Sequence, residues 1–570
     1  MKMRKILSLL LALIMVLALF TACGEKAPVE ETEEEEVEEI GAVTFPLEEP
    51  YVIDMMVKGS YDWETNLPKM AYYQKMVEMT NVTINPINLG DEHMTTLNAM
   101  FAAGNEGEVI IGNGVLNDSQ LMELAYAGLV MPIEDYITNP ELMPNYHNRG
   151  LKYTPQAVGA MTAPDGHIYS VARLQQAEYS YLESPLSVNM AWVEASGADI
   201  STLEGFEQYL AWVRDNDANG NGNPSDEVPF LLANDKANAY STLQAVMAWW
   251  GMPTKNSTLD AYVTLEDGEV LFVPTMDAYK EAVKTLNRWY EEGLIWSEYY
   301  TANTETFNAK INNNETCMFG ASLYPYIMSA AYAYYDELEF VAPPVIEGYE
   351  AELYYNCGIN GYKNTFTLTN KCERPDIVLA WLDYCFYSLE GSLEVGYGLE
   401  SDPYPRYHWN EDRTVFTLVE NMMEEYGLTQ EEYDRYDEEH PGLLTGWGAT
   451  THLRSAEDYE KGMWMTSGGA HTRLKEAYDN LYKPEGYINE EVWPRPYYTE
   501  EVSEEIGILR TDIFNTVTEK EANWVTGVND IEADWADFNA QMEACGVARY
   551  VELLQETYNV YLDTMAEFVQ

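Results

Sequence analysis

Positive charge is what this sequence has least of: 32 Lys and Arg stand against 95 Asp and Glu, a formal charge of −63 over 570 residues. A surface of that sign repels phosphate backbones and anionic headgroups, which excludes a nucleic-acid-binding role. Cysteine is sparse too, with six in the chain and no C-x-x-C pair, so a zinc knuckle or a thioredoxin-type redox motif is absent. The seven histidines are scattered, and no H-E-x-x-H, G-x-S-x-G or P-loop lysine motif occurs. His93, His147 and His167 read as surface or hydrogen-bonding residues rather than bases. A glycosidase needs only two carboxylates, and among 95 such a pair can always be found, so carboxylate pairs carry no information here. What the chain has in plenty is tyrosine, 44 against 15 Phe and 14 Trp. A phenol offers a flat apolar face and a hydroxyl, which suits wet polar ligands as well as packing.

Long apolar runs are missing except at the start. Lys2, Arg4 and Lys5 precede an apolar stretch from Ile6 to Phe20 that is shorter than the ~20 residues of a membrane span. Small residues follow, and Leu19-Phe20-Thr21-Ala22-Cys23 resembles the lipobox of bacterial lipoproteins, with Phe20 in place of the usual Leu. Residues 1–22 are therefore expected to be a signal peptide and Cys23 the lipidated first residue. Plain secretory cleavage and an uncleaved anchor are the alternatives. Eight of the ten residues from Glu30 to Glu39 are Glu, and repulsion at that density keeps a chain extended. Residues 23–45 are expected to tether the globular part to the outer face of the membrane.

From Phe45 onward strand and helix patterns alternate. Tyr51–Val57, Val82–Ile84 and Val109–Ile111 read as strands. Tyr72, Tyr73, Met76 and Val77 recur at helical spacing behind Pro68, and residues 95–103 form a second helix. Strands separated by helices imply a parallel sheet, whose ligands sit beyond the strand carboxyl ends. The Gly59–Asn66 loop and the Gly112-Asn113-Gly114 turn lie there. Tyr61, Asp62, Trp63, Asn66 and Asn113 are accordingly candidate ligand contacts, with Tyr324 and Trp447 as an opposing wall. Trp249 and Trp250 read as packing. The final helical pattern spans Val547 to Met565. The five cysteines after Cys23, namely Cys317, Cys357, Cys372, Cys385 and Cys545, are expected to be mainly buried free thiols.

The strongest chemical signal is Asp215–Pro229, DNDANGNGNPSDEVP. Oxygen side chains at Asp217, Asn219 and Asn221, followed by Gly222, reproduce the front of a calcium loop. The twelfth position is Val228, not the bidentate Glu of an EF-hand. Asp226 and Glu227 can close the shell instead, with the Asn223 carbonyl as a further ligand. A polar Asn/Gly turn without metal is the alternative.

This segment and its approach, PLSVNMAWVEASGADISTLEGFEQYLAWVRDNDANGNGNPSDEVPF, resemble the extracellular solute-binding lipoproteins of carbohydrate ABC transporters, family 1. The calcium-containing alginate-binding subgroup is nearest in pattern. Ala163–Val171 (APDGHIYSV), Trp289–Tyr300, Asn364–Tyr384, Tyr397–Ser401 and the closing helices fit the same family. The resemblance implies an α/β, two-lobed periplasmic-binding-protein-like fold (type II) with a hinge and a ligand cleft between lobes. It implies structural calcium held by Asp217, Asn219, Asn221, Asn223, Asp226 and Glu227. One extra residue around Pro224-Ser225 leaves open which of Ser225, Asp226 and Glu227 completes the shell. Asp402–Arg406 replaces the glycine-rich turn expected after Tyr397.

The expected lobes are residues 46–168 with about 350–410, and 169–349 with about 411–570. The function so implied is capture without chemistry: a monomeric, lipid-anchored protein that binds an oligosaccharide and delivers it to ABC permease subunits. The net charge, with only Lys58 and Arg406 near the assigned loops, favours a neutral sugar. A binder of peptides or other non-sugar solutes, and a surface glycoside hydrolase, are the competing readings.

Overall fold

The computed structural model describes residues 41–174, 185–232, 243–254, 262–315, 318–320, 337–354, 363–439 and 470–568, together with 182 and apart from positions 60, 113, 420, 490 and 492. The signal sequence, Cys23, the acidic tether up to Ile40, Asn113, Cys317, Tyr324, Cys357 and Trp447 lie outside the described residues. No described helix is long and apolar enough to cross a membrane.

The strands that position the site are β1 (Tyr51–Val57), β2 (Val82–Asn88), β3 (Val109–Ile111), β4 (Ser170–Val171), β5 (Leu186–Asn189), β6 (Val263–Glu266) and β7 (Glu269–Phe272). They continue with β8 (Met318–Gly320), β9 (Leu338–Val341), β10 (Leu353–Tyr354), β11 (Phe366–Leu368), β12 (Tyr407–Trp409) and β13 (Phe416–Leu418). A first sheet runs β2-β1-β3-β11-β4 and a second runs β8-β5-β9. β1 pairs in parallel with β2 and β3, as the strand–helix alternation predicts. β11, which returns to this sheet from beyond the second one, lies antiparallel between β3 and β4, so β4 runs in the same direction as β1 and β3.

Local chemistry explains these elements. β1 puts Ile53, Met55, Met56 and Val57 out of solvent, and β3 is buried throughout. Pro86 sits inside β2, which is tolerable because β2 is an edge strand and can forgo one N–H. The Ala71–Thr80 helix buries Tyr72, Tyr73 and Met76, and a 3₁₀ turn at Leu67–Lys69 carries Pro68 ahead of it. The His93–Ala103 helix stops at Gly104, whose φ of 68° is the left-handed cap that glycine adopts without strain.

A separate aromatic-rich core forms around β5. Trp249 lies stacked on Phe230, with ring centroids 6.0 Å apart, and Trp249 and Trp250 are both buried. The Glu500–Val525 helix and the first half of the Val547–Phe568 helix pack into the same core through Ile513, Val517, Tyr550 and Leu553. Cys372 and Cys385 are buried free thiols, and Cys545 is a partly buried one. His167 is an exposed hydrogen-bonding residue, its Nδ1 2.6 Å from Glu134 Oε1.

Two of the expected lobe limits cut across strand pairings. The limit at 168 falls short, because Ser170 and Val171 pair with β11 in the first sheet. The limit at 410 cuts a hairpin: β12 and β13 are antiparallel partners, and Tyr407, Phe416 and Leu418 pack on Leu393. The two strands pair across a six-residue loop, a local hairpin that composition alone does not reveal.

Candidate functional site

The carboxyl ends of β1 and β3 lie side by side, and the start of β11 and the end of β4 meet them there. Gly112 N–H donates to the Thr365 carbonyl at 2.9 Å, and the Thr365 hydroxyl donates to the Val171 carbonyl at 2.8 Å. Gly59 and Gly112 have φ of 102° and 123°, a backbone that side chains rarely adopt, so the strands end in open turns. Both segments that join the two sheets, after Val171 and before Phe366, leave from this end. Among the described residues, the topology thus brings the chain ends at Val171 and Phe366 and the turns after β1 and β3 to one edge.

The Gly59–Asn66 loop contains a one-turn helix, Trp63–Asn66. Asp62 caps it by accepting the Thr65 N–H at 3.1 Å, which holds its carboxyl below the usual carboxylate range. Asn66 donates to the Asp62 carbonyl at 2.9 Å and accepts from Lys69 at 3.1 Å. Asn88 at the end of β2 ties the loop down by donating to the Tyr61 carbonyl. The expectation that Trp63 offers an open ring face is corrected: its residue exposure is 2%. Apolar area drives the ring into the core, and half-buried Tyr61 meets it edge-on at 4.6 Å. Tyr61 is the ring of this loop that keeps contact with solvent.

A buried polar network behind this edge had no signal in the sequence. Lys363 Nζ lies 2.8 Å from Asp118 Oδ2, donates to the Arg495 carbonyl at 2.6 Å and stands 3.8 Å above the Tyr497 ring. Asn364 donates to Asp118 at 3.0 Å and accepts from the Tyr497 hydroxyl at 2.6 Å. Lys363 and Tyr497 are buried while Asp118 keeps contact with solvent, so the buried ammonium has its counter-charge. The two cations singled out in sequence are also engaged: Lys58 with the Gly114 carbonyl at 3.2 Å, and Arg406 with Asp437 at 2.6 Å.

The Asp217–Glu227 loop follows directly on the Leu203–Asp215 helix. Its side chains turn inward onto its own backbone. Asp217 accepts from Gly222 N–H, Asn219 from Asn221 N–H, and Asn221 from Asn223 N–H, all between 2.8 and 2.9 Å. Asn221 Nδ2 donates to Asp226 at 2.8 Å, and Glu227 accepts from Ala218 N–H at 2.7 Å. One oxygen of each carboxylate remains buried without a hydrogen bond: Asp217 Oδ1, Asp226 Oδ1 and Glu227 Oε2. Burial raises the Glu227 carboxyl, and neighbouring Asp226 adds to the rise, against the pull of backbone donors. Three orphaned anionic oxygens in one loop are what a hard cation satisfies. Among the described residues no three or more His, Cys, Asp or Glu side chains form a closed metal cluster. The fit rests instead on mixed carboxylate, amide and backbone donors and on those orphaned oxygens.

No family model matches the chain. The fructooligosaccharide ABC transporter substrate-binding protein FusA of Streptococcus pneumoniae serotype 4 (strain ATCC BAA-334 / TIGR4) is 25% identical over 559 residues, 96% of each chain. Its solved complex with kestose superposes with a TM-score of 0.66 at 20% identity, covering 90% of this chain and 99% of that one. The fold is that of an ABC-transporter solute-binding protein. The two-lobed α/β reading and the family resemblance are both borne out. A human-milk-oligosaccharide-binding (HMO-binding) solute-binding protein from Bifidobacterium longum infantis gives a TM-score of 0.68 at 18% identity, over 90% and 99% of the two chains. The alginate-binding protein AlgQ2, solved without calcium ion, gives 0.63 at 16% identity, over 91% and 100%.

Proposed function

We propose that this protein is an extracellular solute-binding protein that captures an oligosaccharide between its lobes and hands it to the permease of an ABC transporter. The observation that carries this reading is the end-to-end correspondence with FusA, 25% identical over 96% of both chains. Capture proceeds without bond breaking. Sugar C–H faces pack on rings such as Tyr61, and hydroxyls take partners such as Asp62 and Asn66 at the exposed edge of the first sheet. Asn113, Tyr324 and Trp447 complete the proposed set, and Trp63 supports Tyr61 from behind. Lobe closure is then a hinge motion favoured by contacts that exist only when ligand bridges both sides. The first lobe takes in the first sheet with its helices and the β12–β13 hairpin, and the second the aromatic core around β5.

Calcium belongs to the same proposal. Asp217, Asn219, Asn221, Asn223, Asp226 and Glu227 would hold it, and its charge would neutralise the carboxylates and rigidify the loop. The orphaned oxygens support this, as does the existence of an EF-hand mutant among the solved forms of FusA. The lipobox-like run before Cys23 supports anchoring at the outer membrane face, with the Glu-rich segment as tether and the protein acting as a monomer.

The ligand is proposed to be neutral. Arg406 is paired with Asp437, which leaves exposed Lys58, bonded only to the Gly114 carbonyl, as the one cation assigned beside these loops against a chain charge of −63. Calorimetry against kestose, nystose and uronate oligomers of matched length tests this. Kestose or another neutral oligosaccharide is expected to bind, and tighter uronate binding overturns the charge argument. Product formation from any bound sugar overturns capture without chemistry. Tyr61→Ala is expected to weaken neutral-sugar binding about tenfold, the loss of roughly one aromatic contact.

A further inference from the structure

The Val547–Phe568 helix belongs to the second core for most of its length. Tyr550, Leu553 and Leu554 are buried there, and Gln555 holds the β6–β7 hairpin by accepting the Val270 N–H at 2.8 Å and donating to the Gly268 carbonyl at 3.2 Å. Its last turns reach a different partner, the Gln156–Met161 helix. That helix is part of the first sheet's surroundings: Met161 sulfur accepts the Ala172 N–H at 3.3 Å, and Thr162 bridges Ile168 just before β4. The meeting point is Gly159. A Cβ placed on it would lie 2.6 Å from Met565 Sδ, 2.8 Å from Met565 Cγ and 2.9 Å from Tyr561 Cε2. Gly159 has ordinary helical backbone, so nothing in its own conformation demands glycine. Helix propensity disfavours glycine there. Close approach of the C-terminal helix is the remaining physical reason.

Tyr561 is itself held. It stacks on Tyr558 with rings 17° from parallel, and Tyr558 packs against Trp493 on the segment that runs back toward Tyr497 and the first sheet. One rigid helix therefore joins the second core to a helix of the first sheet, beside the chain crossings but separate from them.

We propose that Tyr561 and Met565, seated on Gly159, form a non-covalent strap that limits how far the two lobes spread. The strap acts with no ligand present, and it rests on the two-lobed capture reading only in that lobe spreading is the motion that capture uses. Contacts of this kind are bistable rather than elastic, so losing the seat lets the lobes sample wider angles.

Small-angle scattering on the ligand-free full chain tests it. Gly159→Leu is expected to raise the radius of gyration above that of the wild type by wedging the helices apart. Gly159→Leu combined with Met565→Ala is expected to restore it, since the emptied methionine space receives the leucine. Should Gly159→Leu fail to fold, Tyr561→Ala with Met565→Ala removes the contact without adding bulk and is expected to raise the radius too. Unchanged scattering in the folded variants, or a rise that Met565→Ala does not reverse, overturns the strap. Kestose titration of the same proteins separates the two proposals. If wild type does not bind kestose, the sugar reading is weakened while the ligand-free scattering still decides the strap. If it does, weaker kestose binding by Gly159→Leu, recovered in the double variant, supports it, and unaltered binding counts against it.

Discussion

Removing the proposed calcium is expected to lower the melting temperature of this protein by several degrees, and Asp217→Ala is expected to abolish that response. The expectation follows from three carboxylate oxygens buried without partners in an eleven-residue loop whose Asp217, Asn219 and Asn221 side chains otherwise bond its own backbone. An ion held at about 100 times its dissociation constant adds roughly 3 kcal/mol to the folded state. Without it the loop keeps like charges together at partial burial, which is why burial already lifts the Glu227 carboxyl. Thermal unfolding with and without chelator, in wild type and Asp217→Ala, measures this directly. Restoration by calcium but not by magnesium is expected, because the irregular donor set suits the larger ion. Protein purified without chelator that contains no calcium by elemental analysis would rule the site out.

Glu521→Gln makes the protein more stable above neutral pH and removes a pH dependence that the wild type carries. Glu521 lies on the Glu500–Val525 helix, 5% exposed, and accepts the Tyr279 hydroxyl at 3.0 Å. Among the described residues, Tyr262, Tyr279, Tyr299 and Tyr300 are the titratable groups shown to interact with it, and none of them supplies positive charge. Burial pushes the Glu521 carboxyl from 4.5 to about 7, only partly opposed by the Tyr279 and Tyr262 hydroxyls. Because the folded value is the higher one, the native state binds the extra proton between about pH 4.5 and 7. Stability from this group is full below that window and falls as pH rises through it. The loss is on the order of 3 kcal/mol. Glutamine keeps a carbonyl for Tyr279 and removes the ionisation. Its amide N–H also faces a protein in which the Tyr300 hydroxyl is buried without a partner. Denaturant melts at several pH values should show the variant-minus-wild-type difference growing from pH 5 to pH 8. A difference that stays constant with pH would refute the ionisation of Glu521 as its cause.

Features written in neighbouring residues were legible from the chain. The apolar run Tyr51–Val57 marks β1, the Pro68 turn precedes a helix whose Tyr72, Tyr73 and Met76 face inward, and the buried run Val109–Ile111 is a central strand. The cation loop is legible for the same reason: its proposed ligands all lie between Asp217 and Glu227, so spacing and chemistry are visible together. Trp249 and Trp250 read correctly as packing because their helical setting is local.

Contacts across the chain were decided only by the tertiary structure. Asn364 meets Asp118 across 246 residues, and Tyr279 meets Glu521 across 242, distances over which periodicity carries no information. Nothing near Phe366 indicates that it enters the first sheet antiparallel, and this pairing is what keeps β4 with that sheet. Trp63 illustrates the limit within a single loop. Its place beyond β1 follows from sequence, but whether the ring faces ligand or core depends on the apolar volume that other segments bring to it, and there burial won. The same holds for Arg406, whose charge is cancelled by Asp437 across 31 residues. Sequence alone thus determined which chemistry the protein carries, because composition and short motifs survive without a fold. Which groups stay free to meet a ligand was set by long-range packing and charge pairing, which exist only once the chain has closed on itself.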